Sequence, residues 1–191
     1  MARSSRNDIV KKAHDLFYRL GFHAVGLDRI LAEVGVTKTT FYNHFESKDD
    51  LVAEALRFHD RWWRDEFARM LREHGGDRPR DQLLAVFDAL DHFFASDEYN
   101  GCFFINVAVQ FPDPRDPAHV AAREHKKAMV DILRELAGYA GATDPSAFSE
   151  EFALLMEGAY VTAQVNRGVP TARIGRRMAE VLVERHIPVT R

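Results

Sequence analysis

Lys38, Thr39, Tyr42 and Asn43 share one arc of a short helical segment, KTTFYN, while Phe41 and Phe45, four apart, share the opposite arc. The first arc is polar and hydrogen-bonding. A lysine ammonium donates to guanine O6 or N7, a threonine offers a hydroxyl or a methyl to thymine, and an asparagine amide matches adenine. Near the start of a helix such groups suit the reading of base edges in duplex DNA, each good contact giving roughly 1–3 kcal/mol of discrimination. Lys38, Thr39 and Asn43 are the candidates for that work.

Such groups need a rigid frame, and the flanking residues supply one. Leu27, Ile30, Leu31 and Val34 recur at helical spacing, Gly35 stops that helix where a left-handed residue is cheap, and Thr37 is a good N-cap for the next. Two short helices joined by a tight turn make a helix-turn-helix, whose second helix enters the major groove. Upstream, a helix is expected over Asp8 to Leu20, with Ile9, Ala13, Leu16, Phe17 and Leu20 as its apolar stripe and Gly21 as its end. Downstream, Ser47 and Asp50 make a capping-box-like start for a long helix reaching about Arg72. Arg3 and Arg6, in a Ser-rich arm ahead of the first helix, either reach phosphates and the minor groove or are simply solvated.

Gly35-Val36-Thr37, then Thr40-Phe41-Tyr42-Asn43-His44-Phe45, Ser47-Lys48 and Leu51, in that order and spacing, resemble the DNA-binding signature of the TetR family of bacterial transcriptional regulators. The likeness extends from the first helix to about Ala55. It implies an all-α chain with a three-helix N-terminal DNA-binding domain at 1–50 and a larger helical bundle at 51–191 for effector binding and dimerisation. It also implies that Thr40, Tyr42, His44 and Lys48 touch phosphates, positioning the head while the base-reading residues select. Two positions depart from the family pattern. Gly26 stands where a Ser or Thr commonly caps the second helix and touches phosphate; Asp28 suits that helix's dipole but repels phosphate, so both are left outside the expected site.

The rest of the chain stays helical, with breaks at His74 to Pro79, at Asn100-Gly101, between Pro112 and Pro117, and at Gly168 to Pro170. Helices are expected over Asp81 to about Ala95, Pro117 to Tyr139, Pro145 to about Arg167, and Thr171 to His186, the last carrying Ile174, Met178, Val181 and Leu182. Cys102 to Phe111, almost wholly apolar, reads as a buried helix because no partner strand is visible. The aromatic residues of this body exceed what a six-helix core requires, so they line a cavity or form a dry core. The resemblance implies a small apolar or amphipathic effector inside the bundle. Trp62, Trp63, Phe67, Phe93 and Phe104 are its candidate walls, with Asn106, Gln110, Tyr160 and Gln164 as the few polar groups.

Charge separates head from body. The chain holds 26 basic and 29 acidic side chains, but through Lys48 there are 8 against 5, leaving 18 against 24 for the remainder. An acidic body argues against a sequence-indifferent DNA-packaging protein. The absence of a nucleophile elbow, a glycine-rich phosphate loop or a metal motif argues against an enzyme. The single cysteine, Cys102, excludes an internal disulfide and suits a reducing cytosol. At a helix start it is either an oxidant or electrophile sensor or a small buried hydrophobe. The nine histidines lack ligand spacing and read as scattered surface imidazoles, so no metal and no cofactor are expected. With neither an apolar leader nor a membrane span in the sequence, the cytoplasm is the expected compartment. Together these features lead one to expect a homodimeric repressor on pseudo-palindromic double-stranded DNA, paired through its last two helices and released by an effector.

Overall fold

The computed structural model describes residues 6–188, and every regular element among them is a helix. In chain order these are α1 (Arg6–Leu20), α2 (Leu27–Val34), α3 (Lys38–Tyr42), α4 (Lys48–Gly75), α5 (Pro79–Phe94), α6 (Phe103–Gln110), α7 (Pro117–Tyr139), α8 (Pro145–Val165) and α9 (Thr171–His186). Arg3 lies outside the described residues. The described residues divide into two compact units: one runs from Arg6 to Trp63 and takes in Phe103–His125, the other holds Arg64–Cys102 and the described residues from Lys126 onward. The first unit therefore contains the three head helices, the first half of α4, all of α6 and the start of α7.

The first unit is built around side chains that the apolar stripes anticipated. Ile9, Ala13 and Phe17 of α1, Ile30 of α2, Phe41 of α3, Phe45 beyond it, and Leu51, Ala55 and Leu56 of α4 are all buried. α4 starts as a variant of the capping box: the Asp50 N–H donates to Ser47 Oγ at 3.1 Å, and Asp50 Oδ2 accepts at 3.2 Å from the N–H of Glu46, one residue before the cap. The apolar run after Cys102 is a helix, with Phe103, Phe104 and Val107 buried.

In the second unit α5 begins at Pro79, ahead of the expected Asp81, because proline's fixed φ suits the first helical position. α9 packs on both α5 and α8. It approaches α5 closely through a glycine: a Cβ at Gly175 would meet the Phe87 ring at 2.4 Å. The inward face of α9 is accordingly small, with Gly175, Ala179 and Val183 buried, and its bulky residues Ile174, Met178 and Val181 are exposed.

The histidines correct the expectation of surface imidazoles: His59, His125 and His186 are buried. His125 Nδ1 lies 2.6 Å from Asp60 Oδ1, and its ring stacks on Phe104. In the same unit His14 Nε2 lies 2.7 Å from His59 Nδ1, joining α1 to α4, while His14 Nδ1 lies 3.0 Å from Asp15 Oδ1. A carboxylate only accepts, so His14 donates from Nδ1 and its Nε2 accepts the His59 proton. Phe103, Phe104 and Trp62 surround His59.

Burial pushes the His14 pKa below its ordinary value against the opposing pull of Asp15. Burial also pushes His59 well below it, with repulsion from His14 and His125 adding to the effect. As pH falls through about 6.5 the unfolded imidazoles take up protons that the folded pair refuses, so stability is full above that pH and declines below it. Each proton that the unfolded chain binds and the folded pair does not lowers stability by at most about 1.4 kcal/mol per pH unit. Urea unfolding between about pH 7.5 and 5.5 checks this. His59→Gln, which keeps a donor for His14 but does not titrate, should make the profile shallower, with His14 alone left of the pair; an unchanged slope would exclude His59 as a source.

Candidate nucleic-acid interface

The turn between α2 and α3 follows from two residues. Gly35 adopts φ 76°, ψ 36°, a left-handed conformation that glycine enters without steric cost, and its N–H donates to the Leu31 carbonyl at 2.9 Å. Thr37 then caps α3, its hydroxyl oxygen accepting the Thr40 N–H at 3.2 Å and lying 3.1 Å from the Thr40 hydroxyl. Although α3 proper is short, the Phe45 N–H still donates to the Phe41 carbonyl at 3.0 Å, which carries the helical path one step further.

Phe41 and Phe45 face the core with ring centroids 5.3 Å apart. Their burial leaves Lys38, Thr39, Tyr42, Asn43 and His44 outward and exposed, with Tyr42 58% accessible, and Thr40 half-buried. The residues singled out as base-reading or phosphate-touching thus lie on α3 or in the two residues that follow it, except Lys48. Its ammonium donates to the Phe22 carbonyl at 2.7 Å and lies over the Phe17 ring, and partial burial lowers its pKa. An ammonium carries three donors, so this bond does not exhaust it. Arg6 is likewise engaged within the protein, 2.8 Å from Glu54 and over the Phe45 ring.

Asp28 is where the sequence reading was incomplete. Its carboxylate lies 2.9 Å from the Lys38 ammonium, and this hydrogen bond raises the Lys38 pKa. No local spacing rule relates the second residue of α2 to the first of α3; only the turn geometry brings them together. Gly26, as anticipated, stands at the α2 N-cap without a side-chain bond.

Behind the head, the turn after α1 is held from α6. Gly21 takes φ 84°, the Phe22 N–H donates to Gln110 Oε1 at 2.9 Å, and His23 Nε2 donates to the Gln110 carbonyl at 2.9 Å. Gln110 was expected among effector-lining residues, and here its side chain serves the head. The other candidates divide between the units: Trp62, Trp63, Phe104 and Asn106 fall in the first, Phe67, Phe93, Tyr160 and Gln164 in the second. Within the second, Phe93 meets Tyr160 edge-on at 6.3 Å and Tyr99 donates to the Tyr160 carbonyl at 2.8 Å. Trp62 is half-exposed and Phe67 is buried. Cys102 is buried immediately before α6. Among the described residues no three His, Cys, Asp or Glu side chains converge as a metal-binding group, and no helix is long and apolar enough to cross a membrane.

Residues 9–55 match the family profile described as "Bacterial regulatory proteins, tetR family". The chain is similar to the HTH-type transcriptional regulator YjdC of Escherichia coli, with 26% identity over 175 residues covering 92% of this chain and 91% of that one. It is also similar to the crystal structure of SCO4454, a TetR-family transcriptional regulator from Streptomyces coelicolor. That match has 30% identity, a TM-score of 0.85 and coverage of 95% of each chain. The reduced form of E. coli NemR shares the fold at a TM-score of 0.83 and 18% identity, covering 92% of this chain and 95% of that one.

The grip of α6 on the head is open to a direct test. Gln110→Ala deprives the N–H of the buried Phe22 of its acceptor and is expected to cost about 1–3 kcal/mol in urea unfolding. A change of a few tenths or less would mean that the N–H finds another partner.

Proposed function

This chain belongs to the TetR family of bacterial transcriptional regulators, and from that premise we propose that it is a homodimeric repressor released from a pseudo-palindromic operator by a small apolar or amphipathic effector. It is a regulator and not an enzyme. In this reading residues 1–50 are the DNA-binding domain and 51–191 the effector-binding and dimerisation domain. Lys38, Thr39 and Asn43 read bases, and Thr40, Tyr42, His44 and Lys48 touch phosphates. The observation that carries the reading is the exposed hydrogen-bonding surface of α3 backed by the buried Phe41 and Phe45.

Dimerisation through α8 and α9 is supported by their outward apolar side chains. Leu154 and Val161 of α8 are exposed together with Ile174, Met178 and Val181 of α9, side chains of the kind that a protein–protein contact covers. A two-fold axis there gives each copy the same patch and sets two heads for half-sites about one helical turn of DNA apart.

An effector releases the operator only if it binds the DNA-bound and released conformations unequally. Gln110 supplies a route for such a difference, since a shift of α6 moves an acceptor of the turn that follows α1. The candidates within each unit remain proposed effector contacts, Trp62, Trp63, Phe104, Asn106 and Gln110 in the first unit and Phe67, Phe93, Tyr160 and Gln164 in the second. Cys102, buried as a small hydrophobe would be, favours this reading over a thiol switch.

Electrophoretic mobility shift on DNA upstream of the protein's own gene tests the proposal. Tyr42→Ala removes an exposed ring and should abolish the shift while leaving thermal stability and the sedimenting dimer unchanged. Retained binding would remove α3 from the interface. A chain that sediments as a monomer at the concentrations that shift DNA would contradict the dimer.

A further inference from the structure

Lys38 opens α3 and Asp28 sits in the first turn of α2, and their ammonium and carboxylate meet at 2.9 Å with side chains 63% and 79% exposed. An ion pair so open to water contributes little to folding, so the fold alone does not account for it. Its position is informative: the pair lies at the edge of the arc that carries Thr39, Tyr42 and Asn43.

A free lysine at this edge would be a mobile point charge with three donors, able to satisfy itself on any phosphate of any sequence. The carboxylate changes this in three ways. It takes one donor and holds the flexible stem, it cancels the net charge that draws the head to the phosphate backbone, and it repels phosphate oxygens. Two donors remain, and guanine presents two adjacent acceptors, O6 and N7, in the major groove without a formal charge.

We propose that Asp28 is a specificity-determining residue: with Lys38 it forms a charge-neutral unit that reads one guanine in each half-site and turns away phosphate. The carboxylate acts through Lys38 and is a positioning residue. This deepens the DNA-reading role proposed above and rests on it.

Selection of duplexes from a randomised pool by the full-length protein, followed by sequencing, tests the assignment. The wild-type protein should enrich a symmetric motif with guanine at one position per half-site. Asp28→Asn should keep the rest of the motif, lose at least about fivefold of the preference for that guanine, and bind random duplex more tightly. Its log-log salt dependence should steepen by about 0.9 per head as Lys38 becomes a phosphate contact. Lys38→Ala should lose the same guanine, and the double variant should lose no more than Lys38→Ala does. Thermal melts of the surface variants should match the wild-type protein.

An Asp28→Asn protein that enriches the same guanine as strongly, with an unchanged salt slope, would overturn the proposal and leave the DNA-binding role intact. A wild-type protein that enriches no motif would overturn both.

Discussion

Helix α3 has five residues, whereas isolated helices shorter than roughly 12–15 residues are marginal in water, so its own hydrogen bonds do not hold it. It stands because Phe41 and Phe45 are sunk into the head core, each such burial contributing about 1.5–3 kcal/mol. The left-handed Gly35 fixes the angle at which α3 leaves α2, and the Thr37 hydroxyl satisfies an N–H that the first turn leaves without a partner. With the rings anchored, Lys38, Thr39, Tyr42 and Asn43 are left exposed to solvent on the outer side. Cost and function are thereby separated on one short helix: the inner face supplies the free energy, and the outer face supplies the chemistry.

The head depends on more than its three helices. The backbone of Phe22 is held at both ends by side chains from elsewhere in the sequence, its N–H by Gln110 of α6 and its carbonyl by Lys48 at the start of α4. Its ring stacks on Phe17 and Phe103. A lysine whose ammonium is partly buried on a carbonyl, and a glutamine whose amide meets a turn, are both poor choices for surface solvation and good ones for joining elements. A helix as short as α6 thus acts as a clasp within this unit, and the buried His14–His59 pair makes a second, titratable link between α1 and α4.

Local patterns in the sequence were enough for the helix-turn-helix, because each of its devices is encoded within a few residues: apolar spacing from Leu27 to Val34, the Gly35 stop, the Thr37 cap, the Ser47 and Asp50 box. The helix before Phe111 was legible from the lack of a partner strand. What escaped are pairings between distant positions. Asp28 looked like a liability beside DNA because its partner, Lys38, belongs to the next helix and is reached only through the turn. The bond from the Phe22 N–H to Gln110 was not legible because nothing local ties the two residues, and the buried histidines looked like surface groups because their partners, His14 for His59, Asp60 for His125 and Glu151 for His186, are far away in the sequence. In α9 the apolar positions were plain, yet which of them face outward is set by Gly175, whose missing side chain admits Phe87.

The dependence of recognition on the anchored outer face of α3 is tested most directly by backbone hydrogen exchange of the full chain, free and bound to the duplex it selects. Slowed exchange concentrated over Thr37 to Phe45 on binding is the expected result. Unchanged exchange there, with protection falling on another face of the molecule, would contradict it.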